Sequence, residues 1–150
     1  MFDNKFIKLA LEKAKEAAAR GEVPVGAIVV ERKTSKVISA KHNLSETKKS
    51  PIHHAEILAL TEATEILGTK YLSNCDLYVT LEPCPLCAAA ISMFRIGRLF
   101  YGASDSKFGA IESGSKFFSS PNCHHRPEVF SGICAEESSK LMQDFFKKLR

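Results

Sequence analysis

His54-Ala55-Glu56 is followed, thirty residues after the histidine, by Cys84 in the run Pro83-Cys84-Pro85-Leu86-Cys87. These two stretches supply one imidazole, one carboxylate and two thiols. Imidazole nitrogen and thiolate sulfur are ordinary ligands of zinc. A neutral imidazole with two thiolates balances the charge of Zn2+. Three protein ligands also leave a fourth position open, which separates catalytic zinc sites from structural ones. At such a position the pKa of a water falls to about 7. Glu56 lies two residues from His54 and leaves a helix in a different direction. It is therefore suited to carry protons rather than to bind metal.

Cys84 and Cys87 are three residues apart, so on a helix both sulfurs share a face. Pro83 and Pro85 mark the entry to that helix, because proline is tolerated in a first turn. Unpaired N–H groups and the helix dipole favour negative charge there, which helps form thiolates. Taken singly, these residues have other readings. His54 could be a hydrogen-bonded core histidine. Cys84 and Cys87 could be a redox pair or half of a zinc knuckle, but no second C-x-x-C and no H-x-x-x-H completes a knuckle.

The elements that position these residues follow from the hydrophobic pattern. Phe6, Leu9, Ala10, Ala14 and Ala17 recur at helical spacing, which predicts a helix from Asn4 to Arg20 stopped by Gly21. Val25 to Val30 reads as a buried strand, with Lys36 to Lys41 as its hairpin partner across Thr34-Ser35. Asn43 to Pro51 is polar and loop-like. A helix runs from His54 to Leu67 and ends at Gly68. Cys75 to Leu81 is a third strand, and about Cys84 to Phe94 another helix. Arg98 to Tyr101 is a fourth strand. Gly102 to Pro127 is irregular with a short helical piece, and Glu128 to Phe130 is a short fifth strand. Cys134 to Leu149 closes the chain as a helix. Strands alternating with helices predict an α/β sheet covered on both faces.

With 150 residues, the chain is sized for one domain spanning 1–150. Hydrophobic residues at 45% and charged residues at 25% are usual for a globular protein. No apolar run approaches the roughly 20 residues needed to cross a bilayer. Met1 to Lys5 lacks the apolar stretch of a secretory signal, so a cytoplasmic location is expected. Five cysteines, an odd count, disfavour a disulfide framework. Cys75, Cys123 and Cys134 are read as buried or free thiols. The formal charge of +4 permits a polyanionic partner without requiring one. Basic residues cluster at Lys48-Lys49, Arg95 with Arg98, His124-His125-Arg126, and Lys147-Lys148 with Arg150. Each run also reads as solvated surface charge.

The H-x-E and P-C-x-x-C pieces resemble the cytidine/deoxycytidylate deaminase superfamily. The flanking stretches narrow the resemblance to the bacterial tRNA-specific adenosine deaminases. They are Glu22-Val23-Pro24-Val25-Gly26-Ala27, Tyr78-Val79-Thr80-Leu81-Glu82, Arg95-Ile96-Gly97-Arg98, Tyr101-Gly102-Ala103, Asp105 with Lys107, Gly109-Ala110, His125-Arg126 and Phe145-Phe146. The resemblance covers almost the whole chain. It implies a three-layer α/β/α fold with a mixed five-stranded sheet and helices on both faces. It also implies hydrolytic conversion of adenosine to inosine at the wobble position, 34, of the tRNA anticodon, by a homodimer whose partner is the anticodon stem-loop.

Carried over by residue, His54, Cys84 and Cys87 would hold one Zn2+ per subunit, and Glu56 would shuttle protons. Asn43 matches the asparagine of the base pocket, and a side-chain amide suits a purine edge. It could also merely cap a turn. Asp105 matches an acid that contacts the nucleotide beside the target, or it is a loop surface charge. Phe145 and Phe146 match paired aromatics of the last helix, with Phe145 expected at the substrate and at least one of the two in ordinary packing. Val25 and Ala55 wall the pocket, although Val25 equally suits a strand core. The chain departs from the family at Ser50, His53, Ser104 and Phe108, where an acidic, a small, a basic and a smaller residue respectively are common. Three rival functions share some of these residues. They are a deaminase of a free base or nucleoside (cytosine, guanine or cytidine), a non-catalytic zinc-stabilised RNA-binding module, and a cysteine redox protein.

Overall fold

The computed structural model describes residues 4–149, so the readings made on Met1–Asp3 and on Arg150 lie outside the described residues. Five strands occur in chain order: β1 (Gly26–Glu31), β2 (Lys36–His42), β3 (Cys75–Leu81), β4 (Arg98–Ala103) and β5 (Glu128–Phe130). They form one sheet in the order β2-β1-β3-β4-β5. The hairpin makes β1 antiparallel to β2, and β1 is also antiparallel to β3. The pairs β3–β4 and β4–β5 are parallel. The sheet is thus mixed, as the resemblance implies. Its C-terminal edge at Leu81 and Ala103 lies beside the start of β1.

Four helices cover the sheet: α1 (Lys5–Ala19), α2 (Ala55–Leu67), α3 (Pro85–Met93) and α4 (Ala135–Lys148). Helices α1 and α4 lie on one face, and α2 and α3 on the other. Alternation along β1 shows why both faces must be covered. Ala27 and Val29 enter the core beneath α2 and α3, whereas Ile28 and Val30 enter the core beneath α1. Period-two alternation sends successive side chains to opposite faces, so a strand apolar at every position needs a layer on each side. On the α1 face, a row of rings crosses three strands. Phe6 meets Tyr78 at 5.3 Å between centroids, Tyr78 stacks on Phe100 at 4.4 Å, and Phe100 stacks on Phe130 at 4.9 Å.

Gly26 explains how closely α1 approaches. A Cβ there would sit 1.9 Å from the Ala10 carbonyl oxygen, so only glycine fits. Its N–H also donates to Thr80 Oγ1 at 3.2 Å, fixing β1 against β3.

The boundaries differ from the sequence reading in small ways with clear causes. His54, Cys84 and Cys134 are caps rather than first helical residues. Strand β1 begins at Gly26, one residue late. Strand β4 runs on to Ala103 because Ala103 still pairs with Leu81. The irregular stretch after β4 contains a single 3-10 turn, Phe117–Ser119.

Candidate active site

The N-termini of α2 and α3 meet at the edge of the sheet and bring the motif residues together. His54 caps α2 in an extended conformation, and Cys84 caps α3 in the same way, with Pro85 opening the helix. Cys87 lies in the first turn of α3 and is fully buried. His54 Nδ1 is 3.3 Å from Cys87 Sγ and 3.6 Å from Cys84 Sγ. The three ligand atoms all lie within 4.8 Å of one another. Zinc bonds of about 2.0–2.3 Å in a tetrahedron set neighbouring ligand atoms roughly 3.5 Å apart. Donor types and spacing therefore both fit a zinc ion held by His54, Cys84 and Cys87.

The electrostatics of the cluster are those of a cation site. The Cys87 thiol and the His54 ring, acting against burial, bring Cys84 down to about 4. Cys87 is displaced upward, because its proton is shared toward Cys84 and its site is buried. His54 is raised, chiefly by the Cys84 sulfur. The two sulfurs thus share a proton between two helix N-termini.

Glu56 sits in the first turn of α2, 5% exposed. Burial, reinforced by the Cys84 charge, raises its carboxyl to about 7. A carboxyl that titrates near neutrality is suited to both accept and return a proton.

The cluster forms part of the wall of a cleft of about 1070 Å³ that also contains Glu56. Val25, Asn43, Ala55 and Asp105 line it as well. Phe145 does not: its neighbour Phe146 lines the cleft, and the Phe145 ring meets Phe146 edge-on at 5.3 Å. Val25 also packs on the core. Ala55 is fully buried. Asn43 has two attachments. Its N–H donates to the Val25 carbonyl, and its Oδ1 accepts from Ser45 N–H at 3.2 Å and Ser45 Oγ at 2.7 Å. A backbone N–H can only donate, so the amide orientation is fixed and Nδ2 keeps both its protons for other acceptors. Asn43 therefore caps a turn and still offers donors.

Two buried carboxylates not assigned a role from sequence hold the cleft's loops. Glu22, fully buried, accepts from Glu46 N–H at 3.0 Å, Thr47 N–H at 2.7 Å and Thr47 Oγ1 at 2.5 Å. Glu82, 2% exposed, accepts from the N–H groups of Asp105, Ile111, Glu112 and Ser113 and from Ser113 Oγ, all within 3.0 Å. The available signal was an acid between apolar strand residues and Pro83, a position where an unpaired charge could not stay. Among the basic runs, Arg98 pairs with Asp76 at 2.5 Å, Arg126 donates to the Phe118 carbonyl, and Lys147 lines the cleft. Cys75, Cys123 and Cys134 are free thiols, and burial pushes Cys75 up to about 11.

A family profile described as MafB19-like deaminase matches residues 1–150. A tRNA-specific adenosine deaminase of Rickettsia bellii is 55% identical over 141 residues, covering 94% of this chain and 97% of that one. The chain belongs to the tRNA-specific adenosine deaminase family. Another member, from Agrobacterium fabrum, is 48% identical over 145 residues, covering 97% of this chain and 94% of its own. A solved structure from work on A-to-I editing by tRNA:A34 deaminases at the wobble position of transfer RNA superposes with a TM-score of 0.89. It is 48% identical and covers 93% of this chain and 99% of its own. A guanine deaminase from Nitrosomonas europaea, 23% identical with a TM-score of 0.83 over 96% of this chain and 84% of its own, shares the fold.

Proposed function

We propose that this chain, as one domain, converts adenosine to inosine by hydrolysis at wobble position 34 of the tRNA anticodon, as a cytoplasmic homodimer with one Zn2+ per subunit. The observation that carries this reading is the His54–Cys84–Cys87 cluster beside buried Glu56 in the wall of an open cleft. The family's members act on tRNA by name, and a cleft of about 1070 Å³ exceeds what a single nucleoside needs. Among the described residues no helix is long and apolar enough to cross a membrane. Leu86 and Met93 on α3, 41% and 75% exposed, support a face covered by a second copy.

When bound at His54, Cys84 and Cys87, zinc supplies Lewis acidity. Asn43 Nδ2 donates to an acceptor on the purine edge and orients the ring. Ala55 and Val25 border the base. Water adds at C6 of the purine. Glu56 accepts a proton from that water and delivers it to N1. It then assists departure of ammonia, so adenosine and water become inosine and ammonia. An unpaired loop base has no pairing partner to lose, which lowers the cost of drawing it into the cleft. Asp105 faces the nucleotide beside the target.

Mass spectrometry of an anticodon stem-loop incubated with the zinc-loaded chain tests this reading. A gain of about one dalton per converted base is expected, with no ammonia released from free bases. An unchanged stem-loop mass would sink it, and ammonia from free cytosine or guanine would redirect it to a nucleobase substrate.

A further inference from the structure

We propose that Phe108 is a stacking platform for the unpaired base next to the target adenosine, and so a determinant of which neighbouring bases are accepted. The proposal rests on the tRNA reading above. Phe108 lines the cleft and is 61% exposed. A single exposed phenylalanine is ordinary on a protein surface. Three further features set this one apart.

First, the backbone beneath the ring is held from both sides. Asp105 Oδ1 accepts from Lys107 N–H at 3.1 Å and from Phe108 N–H at 3.0 Å. Asp105 N–H donates in turn to the buried Glu82 carboxylate at 3.0 Å. Gly109 N–H closes the turn on the Asp105 carbonyl at 2.8 Å, and a Cβ on Gly109 would strike the Glu82 carboxyl carbon at 2.5 Å. The loop is thus fixed by polar bonds, and the ring is left over. A ring whose backbone is already ordered loses little entropy when a ligand covers it.

Second, a cation accompanies the ring. Lys107 Nζ lies 5.2 Å from the Phe108 centroid. Third, α4 brings a second ring and a second cation to the same cleft: Phe146, 39% exposed, and Lys147 both line it. Aromatic faces beside lysines, arriving from two separate elements, suit a single strand that offers one flat base and one phosphate per step. A free base has no phosphate to use the lysines and no second ring to cover Phe108.

The test measures inosine formation by wild type, Phe108→Ala and Phe108→Trp on three substrates. These are an intact anticodon stem-loop and two versions with an abasic sugar on one or the other side of the target adenosine. Phe108→Ala is expected to lower kcat/KM on the intact stem-loop by about five- to a hundredfold, mainly through KM. Phe108→Trp is expected to retain most of it. On one of the abasic stem-loops, wild type and Phe108→Ala should agree within about twofold, because the ring has nothing to cover there. Equal loss on all three substrates, or no loss on the intact one, overturns the proposal. Equal unfolding temperatures of the three proteins separate stacking from folding. Wild type inactive on the intact stem-loop overturns the tRNA reading itself, and the stacking role with it.

Discussion

At the scale of single residues, the site's chemistry is a question of where protons sit. The hydrogen bond between the two sulfurs lowers the Cys84 thiol and raises that of Cys87, so binding zinc through both sulfurs requires a proton to leave the pair. Zinc affinity should therefore rise with pH. A competitive chelator titration from about pH 6 to 8 should show that rise, with protons released on loading. Glu56 binds no metal in this scheme, so Glu56→Ala should retain one zinc per chain by metal analysis while its turnover falls by about 10²- to 10⁴-fold. Retained inosine formation would remove Glu56 from the proton-carrying role. The zinc cluster was legible in the sequence because its spacing is local: H-x-E and P-C-x-x-C each fall within one helix start. The choice between Phe145 and Phe146 was not legible. Neighbouring residues on a helix point about 100° apart, and only docking against the sheet sets which one faces the cleft.

At the scale of elements, two buried acids replace what local sequence cannot supply. The stretch after β4 reads as irregular because its order comes from Glu82, more than twenty residues away in sequence. Burial by itself would raise the Glu82 carboxyl, but the amides of Asp105, Ser113 and Ile111 outweigh it and hold it below 4.5. Glu22 is held down in the same way, its burial outweighed by Thr47 and Glu46. An acid lowered by folding stabilises fully above its unfolded value. That contribution is lost as pH falls through its folded value. The Glu22 and Glu82 contributions should thus be complete above about pH 5 and fade below it, against the opposite slope from Glu56 between about 4.5 and 7. Glu82→Gln should flatten the acid limb of thermal stability. Glu82→Ala leaves several buried N–H groups unpaired and should cost about 3 kcal/mol or more, seen as a Tm lower by roughly 10 °C. The strands, by contrast, were legible to within two residues, because β-branched runs bounded by turns need no distant partner.

At the scale of the whole molecule, the sheet explains where the cleft lies. Strands β3 and β4 are parallel, and the loops leaving their C-terminal ends carry Cys84 and Asp105. Ligands of open α/β sheets gather outside such ends. Antiparallel β1 starts at the same edge and contributes Val25, and β2 ends there before Asn43. Lys107, in the loop after β4, and Lys147, on α4, add positive charge to the cleft. KM for the stem-loop should therefore rise with salt. Removing both lysines should reduce the log–log slope by about one to two, measured between roughly 50 and 200 mM salt.

The ring row of Phe6, Tyr78, Phe100 and Phe130 draws its members from both ends of the chain and from the middle. It cannot close until residue 130 has been synthesised. A nascent polypeptide that stalls earlier bares the parallel edge of β4, with Phe100 uncapped, as a template for a stray strand. Three residues of β5 thus act as the seal on the finished protein, and prematurely terminated products should be recovered in the insoluble fraction.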